Sequence, residues 1–298
     1  MLRRTFLACL VLVAVCAPRA TAQARQDRFF DSAGVKIRYV DVGAGDPVVL
    51  IHGFSSSVDA NWDALGIIDK LAKDFRVVAL DVRGHGKSDK PHDSASYGMA
   101  VVDDVVRLMD HLSVKKAHIV GYSMGGAITG KFVVEHPDRV ISAVFGGSAP
   151  RMGWTEQNQK DADELATSLE RGKGMRPLIL RLAPPNEPKP SDDVVEQQSR
   201  AIIGRNDPLA LAAVQRGNKD QTVTVMQVRA ITAPMLAVVG SADPIKAGVD
   251  AFKRVAPSVQ VLVIDGATHS GPRGAPGRPE FVAAVHDFLA AHRSTTSQ

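Results

Sequence analysis

Residues 119–127, IVGYSMGGA, place Ser123 between Gly121 and Gly125, directly after the apolar run Ala117 to Val120 and before a helix-compatible segment. A serine on so sharp a strand-to-helix turn sits in strained backbone, and a side chain two residues to either side would strike the neighbouring strand or helix. Glycine at both flanks is what exposing the Oγ requires. An ordinary turn with a helix-capping serine would not need both. In this context Gly121-x-Ser123-x-Gly125 reads as a nucleophile elbow.

A nucleophilic serine needs a general base, and the base needs an orienting carboxylate. Downstream, Asp243 in AVVGSADPI and His269 in LVIDGATHS each follow an apolar strand candidate. Those are carboxyl ends of parallel strands, where open α/β sheets build their sites. The expected catalytic set is therefore Ser123, Asp243 and His269. Asp265 reads as a turn residue. Asp81 in ALDVRGHGKSD precedes the nucleophile and is assigned to holding the RGHGKS loop by side-chain hydrogen bonds.

An oxyanion needs two donors. The backbone N–H of Met124 is one, and the second is assigned to Phe54 after His52-Gly53, in preference to its neighbour Ser55. His85, His92, His111, His118, His136, His286 and His292 show no paired ligand spacing and read as surface or structural residues. The expectation is no metal and no cofactor.

Apolar β-branched runs alternate with longer helical patterns, as in a mainly parallel central sheet flanked by helices, an α/β fold. Strands are predicted at Val35 to Val42, Pro47 to Ile51, Arg76 to Leu80, Ala117 to Val120, Ile141 to Phe145, Met235 to Val239 and Val259 to Ile264. Helices are predicted at Trp62 to Lys73, Met99 to Leu112, Met124 to Glu135, Pro244 to Val255 and Pro279 to Ala291. The alternation breaks between Pro150 and Pro234. That stretch carries helices around Asp161 to Arg171, Asp193 to Ile203 and Pro208 to Gln215, with one strand, Thr222 to Met226. It reads as a helical cap at about 151–232, inserted into a core at about 28–150 and 233–293.

The chain has 298 residues, suited to one α/β domain over 23–298. Residues 1–22 read as a secretory signal peptide: a basic start, an apolar run from Phe6 to Ala17, then Ala20-Thr21-Ala22. The run falls short of the roughly 20 residues that span a bilayer, so no stable membrane insertion is expected after cleavage. Arg3-Arg4 leaves the export route open between the twin-arginine and general secretory systems. Cys16 raises a lipid-attachment alternative, against which stands the bulky Val15 before it.

Both cysteines, Cys9 and Cys16, lie in this segment, so the mature chain has no thiol nucleophile and no thiolate metal site. Removing Arg3, Arg4 and Arg19, with no acid lost, lowers the formal charge from +4 to +1. With no long run of Lys and Arg, nucleic acid is not an expected partner.

The motifs VVLIHGF, ALDVRGHGKSDKP, IVGYSMGG, EHPDRV, VVGSADPI and GATHS occur in the order seen in the α/β-hydrolase superfamily. Over roughly residues 30 to 292 the chain resembles its capped, serine-nucleophile, esterase-like members. The resemblance implies the same triad and a small-molecule acyl substrate. Epoxide hydrolases and haloalkane dehalogenases attack with Asp where this chain has Ser123. Epoxide hydrolases also use cap tyrosines, whereas Tyr39, Tyr97 and Tyr122 all lie outside the insertion. Tyr122 is expected to point into the fold.

The resulting expectation is an exported, periplasmic or secreted, serine hydrolase cleaving a small ester, lactone or related acyl substrate through an acyl-enzyme. The alternatives are a carbon–carbon bond hydrolase, a cofactor-free haloperoxidase or perhydrolase, and a ligand-binding protein on a hydrolase scaffold. The loop SGPRGAPGRPE after His269 reads as solvated, the alternative being that Arg273 or Arg278 attracts anionic acyl groups.

Overall fold

The computed structural model describes residues 25–294, so the signal reading and both cysteines lie outside the described residues. Eight strands, β1 (Arg28–Ser32), β2 (Val35–Val42), β3 (Pro47–Ile51), β4 (Arg76–Leu80), β5 (Ala117–Tyr122), β6 (Val140–Gly146), β7 (Met235–Gly240) and β8 (Gln260–Ile264), form one sheet. Their order is β1-β2-β4-β3-β5-β6-β7-β8. The pairs from β4 through β8 are parallel, and β2 joins β4 antiparallel. After β3 the chain crosses to β4 on one side and then to β5 on the other. The loops after β3 and β5 thus diverge around a crevice, the usual place for a site in such sheets.

Alternate side chains of the buried strands serve two layers. Val49 and Ile51 of β3 join one core with α2 (Met99–His111), α3 (Met124–Glu135) and α9 (Lys246–Val255). Val48 and Leu50 join the other with α1 (Ile67–Leu71) and α10 (Pro279–Ala291). Strands covered on both faces must be apolar throughout, which is why the uninterrupted runs of the sequence identify them.

Two predicted elements need correction. The helix expected over Trp62 to Lys73 is instead a short wide turn, Asp59–Asp63, followed by α1, with Gly66 at φ 68° between them. The strand expected over Thr222 to Met226 is absent: only Val223 bridges, to Met152. There Thr224 caps α8 (Val225–Arg229) by accepting from the Gln227 N–H, and the Gln227 side chain accepts from the Thr224 N–H. That capping box outweighs the β-branched composition. The short strand β1 was not predicted, and it pairs with β2 through a turn in which Ala33 and Gly34 both have positive φ.

The insertion holds α4 (Glu156–Glu170), α5 (Arg176–Arg181), α6 (Asp192–Ile203), α7 (Pro208–Gly217) and α8. Leu165, Ala166, Leu169, Met175, Leu211 and Ala212 give it an apolar cluster of its own. Phe54, from the loop after β3, packs against both this cluster and the main core. Among the described residues no helix is long and apolar enough to cross a membrane.

Candidate active site

Ser123 lies between β5 and α3 with φ 53° and ψ −115°, a conformation costly for a residue with a Cβ. The flanking glycines are enforced by backbone. A Cβ on Gly121 would lie 2.1 Å from the Gly125 carbonyl oxygen, and one on Gly125 would lie 2.0 Å from that of Ile51. Neither obstacle can rotate away. Gly125→Ala is expected to destabilise the fold by about 3 kcal/mol or more, measured by denaturant unfolding. Gly126 meets the Ser148 side chain instead, as a packing position.

His269 follows β8 and Asp243 follows β7. The ends of these strands are drawn together where the Ala242 N–H donates to the Ala267 carbonyl at 3.0 Å. A Cβ on Gly240 would lie 2.0 Å from that same oxygen, so the approach depends on glycine. His269 Nε2 lies 2.9 Å from Ser123 Oγ, and His269 Nδ1 lies 2.9 Å from Asp243 Oδ2. The other carboxylate oxygen of Asp243 accepts the Ile245 N–H at 2.8 Å. With Asp243 and His269 buried and Ser123 partly exposed, the chain of groups opens only at the hydroxyl. Asp265 points away and accepts the Ser241 hydroxyl at the surface.

The loop after β3 lies against the serine, and a Cβ on Gly53 would come within 3.3 Å of Ser123 Cβ. The Gly53 N–H is held by Asn61 Oδ1 at 2.9 Å, and Ser55 takes the left-handed φ of 56°. From the insertion, Asn206 Nδ2 donates to the Ser55 carbonyl at 3.1 Å. Among the described residues neither the Phe54 nor the Met124 N–H has a hydrogen-bond acceptor. Both are therefore without a partner inside the described protein. Asn61 and Asn206 are supporting residues that the sequence reading did not find, since no spacing rule connects them to the loop.

Beneath Phe54 lie two buried imidazoles. The Val82 N–H donates to His52 Nε2, so His52 Nδ1 carries the proton and donates to the Gly53 carbonyl at 2.8 Å. His85 stacks edge-on against both His52 and Phe54, with ring centroids 5.2 and 5.7 Å away. Burial depresses both, His52 to about 4 and His85 to about 3, so both are neutral in the fold. Unfolded imidazoles bind a proton near 6.5, so the neutral pair contributes fully above pH 6.5 and is lost progressively towards 4 and below. The thermal midpoint is expected to fall across that window and to fall less in His85→Phe. Asp27 and Asp207, whose pKa values are lowered in the fold, lose their contribution only below about 3.8.

Asp81 accepts the Val58 and Lys87 N–H groups at 2.7 and 2.8 Å and so braces the RGHGKS loop, as its position before the nucleophile implied. Arg273 makes a two-pronged ion pair with Glu187 in the Pro-rich turn of the insertion, and Arg278 pairs with Glu280. The loop after His269 is thus tied to the insertion through Arg273. No group of three or more His, Cys, Asp or Glu side chains is placed to hold a metal among the described residues.

Residues 46–272 match the family model of the alpha/beta hydrolase fold. Among curated proteins, the chain is 40% identical over 121 residues to the 2-hydroxymuconate semialdehyde hydrolase of Pseudomonas sp. (strain CF600), covering 40% of this chain and 42% of that protein. It is 38% identical over 135 residues to the dihydrolipoyllysine-residue acetyltransferase component of the acetoin cleaving system of Cupriavidus necator, covering 43% of this chain and 35% of that one. The chain spans between 35% and 52% of the length of these and the next such relative. Among solved structures, a thermophilic esterase from Thermogutta terrifontis superimposes with a TM-score of 0.74 at 25% identity, over 90% of this chain and 100% of that one.

Proposed function

The chain belongs to the α/β-hydrolase fold family, and we propose that within it the chain is an exported serine hydrolase that cleaves a small ester, lactone or related acyl substrate. The observation that carries this reading is the pair of 2.9 Å contacts linking Ser123 Oγ, His269 and Asp243. His269 Nε2 takes the Ser123 proton as Oγ attacks the carbonyl carbon. Asp243 holds the imidazole tautomer and offsets the charge of the imidazolium. The Phe54 and Met124 N–H groups receive the oxyanion. When the tetrahedral adduct collapses, the carbon–oxygen bond to the alcohol breaks and His269 returns the proton to it. Water, deprotonated by the same imidazole, then releases the acid and restores Ser123. The chemistry needs neither metal nor organic cofactor.

Preference for an uncharged acyl group is supported by the insertion, which we read as a cap. Partly buried Leu178, Ile179, Ile202 and Ile203 gather on the same cluster as Phe54. Three of the insertion's arginines, Arg176, Arg181 and Arg216, are paired with Asp192, Asp161 and Glu170. Export is supported by the N-terminal pattern of a basic start, an apolar run and Ala20-Thr21-Ala22.

The test is labelling of the purified protein with a fluorophosphonate, mapping of the modified residue, and a panel of p-nitrophenyl acyl esters. Label and turnover that both depend on Ser123 support the reading; label on any other residue refutes it. A carbon–carbon bond hydrolase is the second reading, favoured by the partial identity to 2-hydroxymuconate semialdehyde hydrolase. Faster turnover of a 2-hydroxy-6-oxo-dienoate than of any ester in the panel would favour it.

A further inference from the structure

We propose that Tyr122 is a positioning residue for His269, a brace from the strand that carries the nucleophile to the loop that carries the base. The proposal rests on the hydrolase reading above for its consequence, but not for its geometry. Tyr122 is the last residue of β5, immediately before Ser123, and β6 and β7 stand between β5 and β8 in the sheet. Its side chain nevertheless crosses the end of β6, where the hydroxyl donates to the His269 backbone carbonyl at 2.5 Å.

The crossing is open because β6 ends in Gly146 and is followed by Gly147. A Cβ on Gly146 would lie 2.7 Å from Tyr122 Cδ2, and one on Gly147 would lie 2.9 Å from Tyr122 Cζ and Oη. The phenol ring lies between two partners. The His269 imidazole is tilted over it with centroids 5.5 Å apart, and Phe281 meets it edge-on at 5.9 Å. Burial, with the nearby charge of Asp243, raises the phenol well above its ordinary value, so the hydroxyl remains a donor at working pH.

The loop is held elsewhere by the Thr268 N–H on the Arg273 carbonyl at 2.9 Å and the Ala275 N–H on the Thr268 carbonyl at 3.0 Å, bonds that do not involve the backbone of His269. It runs through Gly266 and Gly271, both at positive φ, and its exposed Arg273 is held by Glu187, itself exposed. The Tyr122 hydroxyl fixes the backbone of His269 itself, from the residue adjoining Ser123, whose hydroxyl the imidazole must deprotonate. Small displacements between reacting groups are costly to rate, so the brace acts on turnover and not on substrate binding.

The test compares wild type with Tyr122→Phe, which keeps the ring and removes one oxygen. Reaction rates on a p-nitrophenyl ester are normalised to the serine count from fluorophosphonate titration. The expected result is a fall in kcat of about five- to tenfold per labelled serine, with KM unchanged. The downfield proton signal of the His269 Nδ1–H bonded to Asp243 is expected to broaden or move. Unchanged kcat per serine together with an unchanged Nδ1–H signal overturns the brace, whatever the melting temperature does. Absence of label and turnover in wild type would refute the hydrolase reading instead. The Nδ1–H comparison would then still decide the brace.

Discussion

Replacing Ser123 with alanine is expected to lower kcat by about 10⁴- to 10⁶-fold while the protein remains folded. The left-handed turn is imposed on any residue at this position, and Ala carries the same Cβ as Ser, so the strain at φ 53° is not increased. What is lost is the hydroxyl 2.9 Å from His269 Nε2. His269→Ala is expected to cost a similar factor, and the double variant little more than either alone, because the two groups act in one proton transfer. Steady-state kinetics on a p-nitrophenyl ester, with fluorophosphonate labelling as the parallel readout, checks this. Activity retained in Ser123→Ala would remove the residue from its assigned role.

Asp243→Asn is expected to lower kcat by about 10³- to 10⁴-fold, for a reason specific to its surroundings. One carboxylate oxygen already accepts the Ile245 N–H. In the variant the amide oxygen keeps that bond, so the NH₂ group faces His269 Nδ1 at the place Oδ2 occupied. The Nδ1 atom must then accept, which puts the imidazole proton on Nε2, pointing at Ser123. A base in that tautomer cannot take the serine proton. Asp265→Asn serves as the control: its partner is the surface hydroxyl of Ser241, and no change in kcat is expected. Equal losses in the two variants would undo the distinction between these acids.

The parallel strands and the nucleophile turn were legible in the sequence because each leaves its mark on residues close together along the chain, even where the neighbour responsible lies far off. A strand buried on both faces must be apolar along its length, and Gly121 answers to the Gly125 carbonyl four residues on while Gly125 answers to the Ile51 carbonyl of the neighbouring strand β3. The elements misread were those in which a local signal competed with another. Gly66 divides the helix expected over Trp62 to Lys73, and the Thr224–Gln227 capping box converts a β-branched stretch into helix. Its place after an apolar strand nominated Asp243, and closeness to the strand before His269 made Asp265 a turn residue, but only the fold turned the first towards His269 and the second towards Ser241.

The sequence by itself determined an α/β sheet with an elbow serine, later Asp and His candidates in order, and a helical insertion between two core strands. The sheet and the elbow follow from steric and burial rules, and the Asp and His candidates from the chemistry a serine nucleophile needs and from their places after apolar strands. The tertiary structure decided which atoms meet: the 2.9 Å contacts, the Asn206 hold on the Ser55 carbonyl, the Arg273 tie to Glu187, and the reach of Tyr122 across Gly146 to His269. Partners far apart in sequence carry no mutual signal in a single chain. Their pairing depends on how the sheet twists and where each loop returns.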